Sequence, residues 1–136
     1  MKQITLIIAA LAFLTISSCK KEEEKKSKTD LLTASAWKPK SMIYDPIDDV
    51  PADEIEDCDK DDAVKFNTGG AGTLNAGTIK CDPSDPQTEP FTWAFAASET
   101  QLILFGETYS IVTLDANSLV LRMSDAGDTY TITMTH

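Results

Sequence analysis

The 136 residues hold a single histidine, His136, and a single arginine, Arg122. That scarcity excludes a good deal. A Ser-His-Asp or Cys-His arrangement needs an imidazole held beside its nucleophile, and His136, as the last residue, is expected to fray. Basic residues are few overall, 12 lysines and arginines against 22 aspartates and glutamates. From Asp30 onward the imbalance steepens to 6 against 19, a charge near −13. Nucleic acid and flat contact with anionic lipid both call for basic patches, so neither is an expected partner. No glycine-rich loop stands before a helix in the phosphate-binding manner. No cysteine has a second cysteine or a histidine at zinc-ligand spacing. Acid pairs exist, but none is set apart as a glycosidase dyad. The expectation is a protein without a cofactor and without catalysis.

A long apolar run is missing as well. Ile4–Ile16 is free of charge, but its 13 residues fall short of the ~20 that a helix needs to cross a bilayer core of ~30 Å. With Lys2 before it and Ser17-Ser18 after it, the stretch 1–18 reads as a secretory signal peptide. Ile16-Ser17-Ser18-Cys19 resembles the bacterial lipobox. The resemblance implies cleavage before Cys19 and acylation of its thiol with palmitate-like chains, which at ~0.8 kcal/mol per buried CH₂ hold a chain on a membrane. Residues 19–29 carry five lysines and three glutamates and nothing aliphatic, the composition of a disordered charged tether. Within it Lys21-Glu22-Glu23 resembles the export signal of Bacteroidota surface lipoproteins, which implies the cell surface more than the periplasmic face of the outer membrane.

With Cys19 given to lipid, Cys58 and Cys81 remain as a pair in an oxidising compartment. That favours a disulfide over two free thiols. Residues 30–136 then form one domain of ~107 residues, enough for a core without a metal staple.

Asp30-Leu31-Leu32-Thr33 reads as a capped helical turn, with its leucines available to plug a core. Eight short strands follow at turn-marked spacing: Trp37–Tyr44, Ala63–Asn67, Thr73–Lys80, Phe91–Ala96, Gln101–Phe105, Thr108–Leu114, Ser118–Met123 and Thr129–Thr135. The clearest alternation is Phe91, Trp93 and Phe95 against Thr92, Ala94 and Ala96. Gly69-Gly70-Ala71-Gly72 is expected to be a hairpin connection. Asp45–Asp62, with ten carboxylates and one lysine, is expected to be a long loop with a brief helical turn near Asp53–Asp57. Such a meander hides its edges by closing, so the fold class is all-β, a single antiparallel up-and-down β-barrel. Leu102-Ile103-Leu104-Phe105 is apolar on both faces. Its outer face calls for a cover, expected from Asp30–Tyr44 rather than from a second protomer, and the chain is therefore expected to be a monomer.

The order Leu31-Leu32, Trp37-Lys38, Cys58-Asp59-Lys60-Asp61-Asp62, Phe66-Asn67, Gly72-Thr73, Lys80-Cys81-Asp82-Pro83, Trp93-Ala94-Phe95, Thr100-Gln101-Leu102 and Leu119-Val120-Leu121-Arg122 resembles the lipocalin-like domains of Bacteroidota lipoproteins. The resemblance covers nearly the whole domain. It implies a small lipocalin-like barrel with a Cys58–Cys81 bridge. Lipocalins open on Gly-x-Trp, where this chain has Ala34-Ser35-Ala36-Trp37, and lay an arginine across that tryptophan. Arg122 is the one arginine available for that place.

Two readings of function follow. In the first, the barrel takes a small hydrophobic ligand, with Trp93, Phe95, Tyr109, Ile111, Leu119, Leu121, Tyr130 and Ile132 as candidate lining. The alternative for all eight is a filled core, in a surface module that meets a protein or glycan through the Asp45–Asp62 loop or an edge of the barrel. The acidic run also offers a weak calcium candidate, Asp57, Asp59 and Asp61. Carboxylates alternate there, but the glycine and the closing glutamate of an EF-hand loop are missing.

Overall fold

In the strand Ala63–Phe66, Val64 and Phe66 turn inward and are buried while Ala63 and Lys65 are only half-buried. This period of two recurs along the chain and decides the architecture. The computed structural model describes residues 25–47, 49 and 52–136. The signal peptide, Cys19 and most of the tether lie outside them. A helix, α1 (Lys28–Thr33), precedes nine strands: β1 (Lys38–Asp45), β2 (Ala52–Asp53), β3 (Ala63–Phe66), β4 (Ala71–Asn75), β5 (Thr88–Ala96), β6 (Gln101–Leu104), β7 (Glu107–Leu114), β8 (Ser118–Asp125) and β9 (Asp128–Thr135). Among the described residues no helix is long and apolar enough to cross a membrane.

The sheet runs β2-β1-β9-β8-β7-β6-β5-β4-β3, every neighbour antiparallel. Its ends meet just before β1. The Trp37 amide donates to the Val64 carbonyl at 2.9 Å, and the Val64 amide returns the bond at 2.8 Å. Eight strands thus form an up-and-down barrel, joined across the β1–β3 seam by one bridge.

The ninth strand corrects the expectation of a loop with a helical turn near Asp53–Asp57. β3 reaches β1 only at Trp37, which leaves the edge of β1 unpaired higher up. An unpaired edge must find partners. Ala52 and Asp53 supply them opposite Tyr44 and Ile43, and the Asp53 Oδ1 also accepts the Met42 amide at 2.9 Å. The expected strand Thr73–Lys80 is displaced toward its start. Ala71 and Gly72 are strand residues, paired with Thr92 and Phe91, and the hairpin turn shrinks to 67–70. At the other end, Asn75 Oδ1 accepts the Gly77 amide at 3.1 Å, an Asx-type turn that ends the strand. Gly72 is needed where it stands: a Cβ there would lie 2.2 Å from the Phe91 ring.

One end of the barrel is closed. Ser27 caps α1, its hydroxyl accepting the Asp30 amide while the Asp30 carboxylate takes the Ser27 amide, a reciprocal box. The Ser27 hydroxyl, which also donates to Asp30 Oδ2 at 2.6 Å, and then the Ser27 amide hold the Asp30 carboxyl below its usual range. Lys28 Nζ donates to the Glu99 carbonyl in the β5–β6 turn. The last carbonyls of a short helix have no partner inside it. Here Leu32 O accepts the Trp37 indole N–H at 2.9 Å, and Thr33 O accepts Lys65 Nζ at 2.8 Å. Leu32 and Trp37 are wholly buried, and above them Phe66, Leu102, Leu119 and Leu121 are too. Phe66 meets Phe91 and Trp93 edge to face, at ring distances of 5.5 and 5.8 Å.

The expected cover over Leu102–Phe105 is not where it was sought. Residues 30–44 divide between the closed-end plug and β1. Leu102 and Leu104 point inward, and Phe105 leaves the alternation. Its φ of +53° carries the ring over the opposite end of the barrel onto Phe91, at a ring distance of 4.8 Å and 52% exposed.

Candidate functional site

The antiparallel order gathers four connections at the open end: the turns at 105–106 and 126–127, the long β1–β3 connection carrying β2, and the β4–β5 connection at 76–87. The Cys58–Cys81 disulfide joins the two long ones, with Cα atoms 5.2 Å apart across 23 residues. Asp61 reinforces that junction from one loop to the other. Its Oδ2 accepts the Thr78 and Ile79 amides at 2.6 and 3.1 Å, and these bonds depress its pKa. Gly77, at φ +54°, leaves room for the carboxyl, since a Cβ there would lie 2.4 Å from Asp61 Cγ.

Beneath this rim lies a cavity of about 170 Å³, walled by Met42, Val64, Leu104, Phe105, Tyr109, Ile132 and Met134, with Pro39 and Ser41 at its side. Two carboxylates, Asp59 and Asp62, complete the lining. The same two face a second recess, about 270 Å³, between the disulfide and the β4–β5 connection. The Asp59–Asp62 lip therefore divides an apolar interior from a wetter pocket. Partial burial, then the charges of Asp59 and Asp61, push the Asp62 carboxyl above its ordinary range. Burial, and less so Glu107, raises Tyr109.

Of the eight residues expected to line a cavity, Tyr109 and Ile132 do so. Trp93, Leu119 and Leu121 belong to the filled core, and Phe95 and Ile111 pack against it. Tyr130 stacks on Tyr44 with ring centroids 4.7 Å apart. The Tyr44 hydroxyl donates to Asp128 at 2.9 Å, and that bond is the main reason its pKa is pushed up to about 12. Alternation tells which side of a strand faces inward, but not at what height along the barrel. Cross-strand pairing carries the missing signal: Met42 lies opposite Ile132, so a correct β1–β9 register would have placed both on one level.

The calcium candidate comes apart into local bonds. Asp57 takes Lys60 at 2.7 Å, which lowers its pKa. Asp59 Oδ2 accepts the Glu56 amide at 3.0 Å, and Asp61 turns to the β4–β5 connection. Glu56, Cys58 and Cys81 are close enough together to hold a metal ion, but the two sulfurs are bonded to each other and offer no thiolate.

At the closed end the one histidine corrects two expectations. His136 is neither frayed nor idle. Its ring lies on Trp37 with centroids 3.9 Å apart, and Nδ1 is 2.6 Å from Ser35 Oγ and 3.0 Å from the Ala36 carbonyl. The place sought for Arg122 is thus taken by His136. Arg122 sits mid-strand, exposed, opposite Ser110 and Thr131. His136→Ala removes that stacking and is expected to cost about 1 kcal/mol, seen as a lowered urea midpoint at unchanged slope. An unchanged midpoint would mean that Trp37 is held without its neighbour.

No family model matches the chain, and no curated protein matches it. Among solved structures it is similar to a lipocalin-like protein from Bacteroides uniformis, with 15% identity over 75% of this chain and 96% of that one, and a TM-score of 0.43. So distant a likeness brings no function with it. The up-and-down barrel rests on the strand pairings themselves.

Proposed function

We propose that this chain is a membrane-anchored binding protein that receives a small apolar molecule at the open end of its barrel. The observation that carries the reading is the cavity of about 170 Å³ behind Asp59 and Asp62, walled by Met42, Leu104, Tyr109, Ile132 and Met134. An apolar cavity of ~150 Å³ is enough to hold benzene, so the fitting group is a single ring or a short alkyl chain. The rest of a longer ligand would emerge past Phe105. The reading assigns no catalysis, since the one imidazole lies against Trp37 at the other end of the barrel. The anchor rests on Ile16-Ser17-Ser18-Cys19, and the outward orientation on Lys21-Glu22-Glu23.

Native mass spectrometry of the protein purified from its own host tests the binding. A retained small-molecule mass that is lost when Leu104→Trp fills the cavity is the expected result. An apo mass, together with no uptake of a neutral fluorescent probe such as N-phenyl-1-naphthylamine, would overturn it. The anchor is tested separately. Cys19→Ser should move the chain from the membrane fraction to the soluble one, and protease added to intact cells should digest the wild-type domain.

A further inference from the structure

The Asp57–Asp62 run spends its carboxylates unevenly. Asp57 is bound to Lys60, Asp59 to the Glu56 amide, and Asp61 to the Thr78 and Ile79 amides. Asp62 has no such bond: its amide donates to the Asp59 carbonyl at 3.2 Å, and among the described residues nothing donates to its carboxylate. Asp62 is half-buried, as Asp59 and Asp61 are, and it stands with Asp59 on the lip of an apolar cavity.

A carboxylate that is half withdrawn from water, unbonded, and flanked by like charges is an expensive group to keep ionised. The usual remedies are absent from its surroundings. Among the described residues lining the cavity there is no lysine, arginine or histidine. Of the nearby cations, Lys60 is held by Asp57, Lys80 by the Asp85 carbonyl, and Lys38 acts on the neighbouring Asp61. A cation arriving from outside would relieve the desolvation and the repulsion together.

We infer that the cavity selects amphiphiles that carry a primary ammonium group at one end of a short alkyl chain or ring. The apolar part lies among Met42, Leu104, Ile132 and Met134, and the ammonium sits at the lip between Asp62 and Asp59. An ammonium has three donors, enough to bond Asp62 and Asp59 and still keep one for water. The chain's net charge of −10 favours the approach of cations to this mouth and disfavours carboxylate amphiphiles. The inference rests on the proposed binding role and names the class of ligand.

The test uses the full chain with Cys19→Ser, which removes the acylation site and keeps every other residue. Hexylamine, hexanol and hexanoate are titrated at neutral pH, and binding is read from the NMR shifts of the Met42 and Met134 methyl groups. Hexylamine should bind at least about tenfold more tightly than hexanol, a ratio worth 1.4 kcal/mol, and hexanoate more weakly than either. Asp62→Asn should erase the preference for the amine over the alcohol. Equal affinity for amine and alcohol, or a preference that survives Asp62→Asn, overturns the inference and leaves the binding role standing. Failure of hexanol and hexylamine alike to move either methyl group removes both.

Discussion

Replacing Cys58 and Cys81 together by serine should lower the unfolding free energy by about 3 kcal/mol. The bridge spans 23 residues, and the loop-closure entropy removed from the unfolded chain by a link of that length is of this size. For a domain this small the loss corresponds to a fall in Tm on the order of 10 °C or more. The effect should also be local in a particular way. The disulfide joins the β1–β3 and β4–β5 connections, and neither sulfur enters the core of Trp37, Phe66, Leu102, Leu119 and Leu121. The double variant should therefore keep the wild-type near-ultraviolet spectrum of its buried tryptophans. Amide exchange at Thr78 and Ile79 should quicken, because only the Asp61 carboxylate would still hold them. Urea melts of the two proteins without reductant measure the first quantity, and hydrogen exchange the second. A loss under 1 kcal/mol would show that Asp61 and its two amides suffice to join the loops.

How much of this could be read in advance depends on whether the deciding interaction is local. Alternation at Phe91-Trp93-Phe95 and at Leu119-Leu121 placed strands near where they stand, because a half-buried strand must show a period of two. The Leu31-Leu32 pair was legible as a plug, since an apolar pair in an isolated helical turn has to bury itself elsewhere, and Leu32 does. β2 was not legible. Ala52 and Asp53 have no strand character of their own, and they pair only because the β1–β3 seam leaves an edge open beside Ile43 and Tyr44. Phe105 was misplaced for a related reason. Its position follows from a positive φ at the β6–β7 turn, which the apolar run before it does not announce. The candidate site suffered most, because a cavity is a matter of level along the barrel. Tyr109 and Ile132 face the opening, while Trp93, Leu119 and Leu121, on equally inward positions, lie in the filled part. Standing last in the sequence predicts fraying for His136, yet Trp37, Ser35 and Ala36 hold it.

The largest single-residue effect is expected at Trp37. Its side chain is wholly buried, and the residue joins three of the contacts that close the lower end. The indole N–H serves the Leu32 carbonyl, the backbone makes both bonds to Val64, and the ring carries His136. Trp37→Ala removes the transfer free energy of a large aromatic and leaves a hole under the β1–β3 seam, a change that typically costs about 3 to 5 kcal/mol. Against the 5 to 15 kcal/mol of a typical domain, that is enough to leave the barrel marginal. Trp37→Phe separates the causes. Phenylalanine refills most of the space but has no N–H, so the Leu32 carbonyl loses its indole donor at a cost of about 1 to 3 kcal/mol. Both values come from urea unfolding followed at Trp93, the one tryptophan left in either variant. If alanine costs no more than phenylalanine, the ring's volume contributes nothing and the seam is held by its two backbone bonds. If phenylalanine costs nothing, the indole bond is dispensable and the stabilisation is burial alone. In the surviving Trp37→Phe protein the methyl groups of Met42 and Met134 should still respond to hexylamine, because Trp37 is not among the residues lining the cavity.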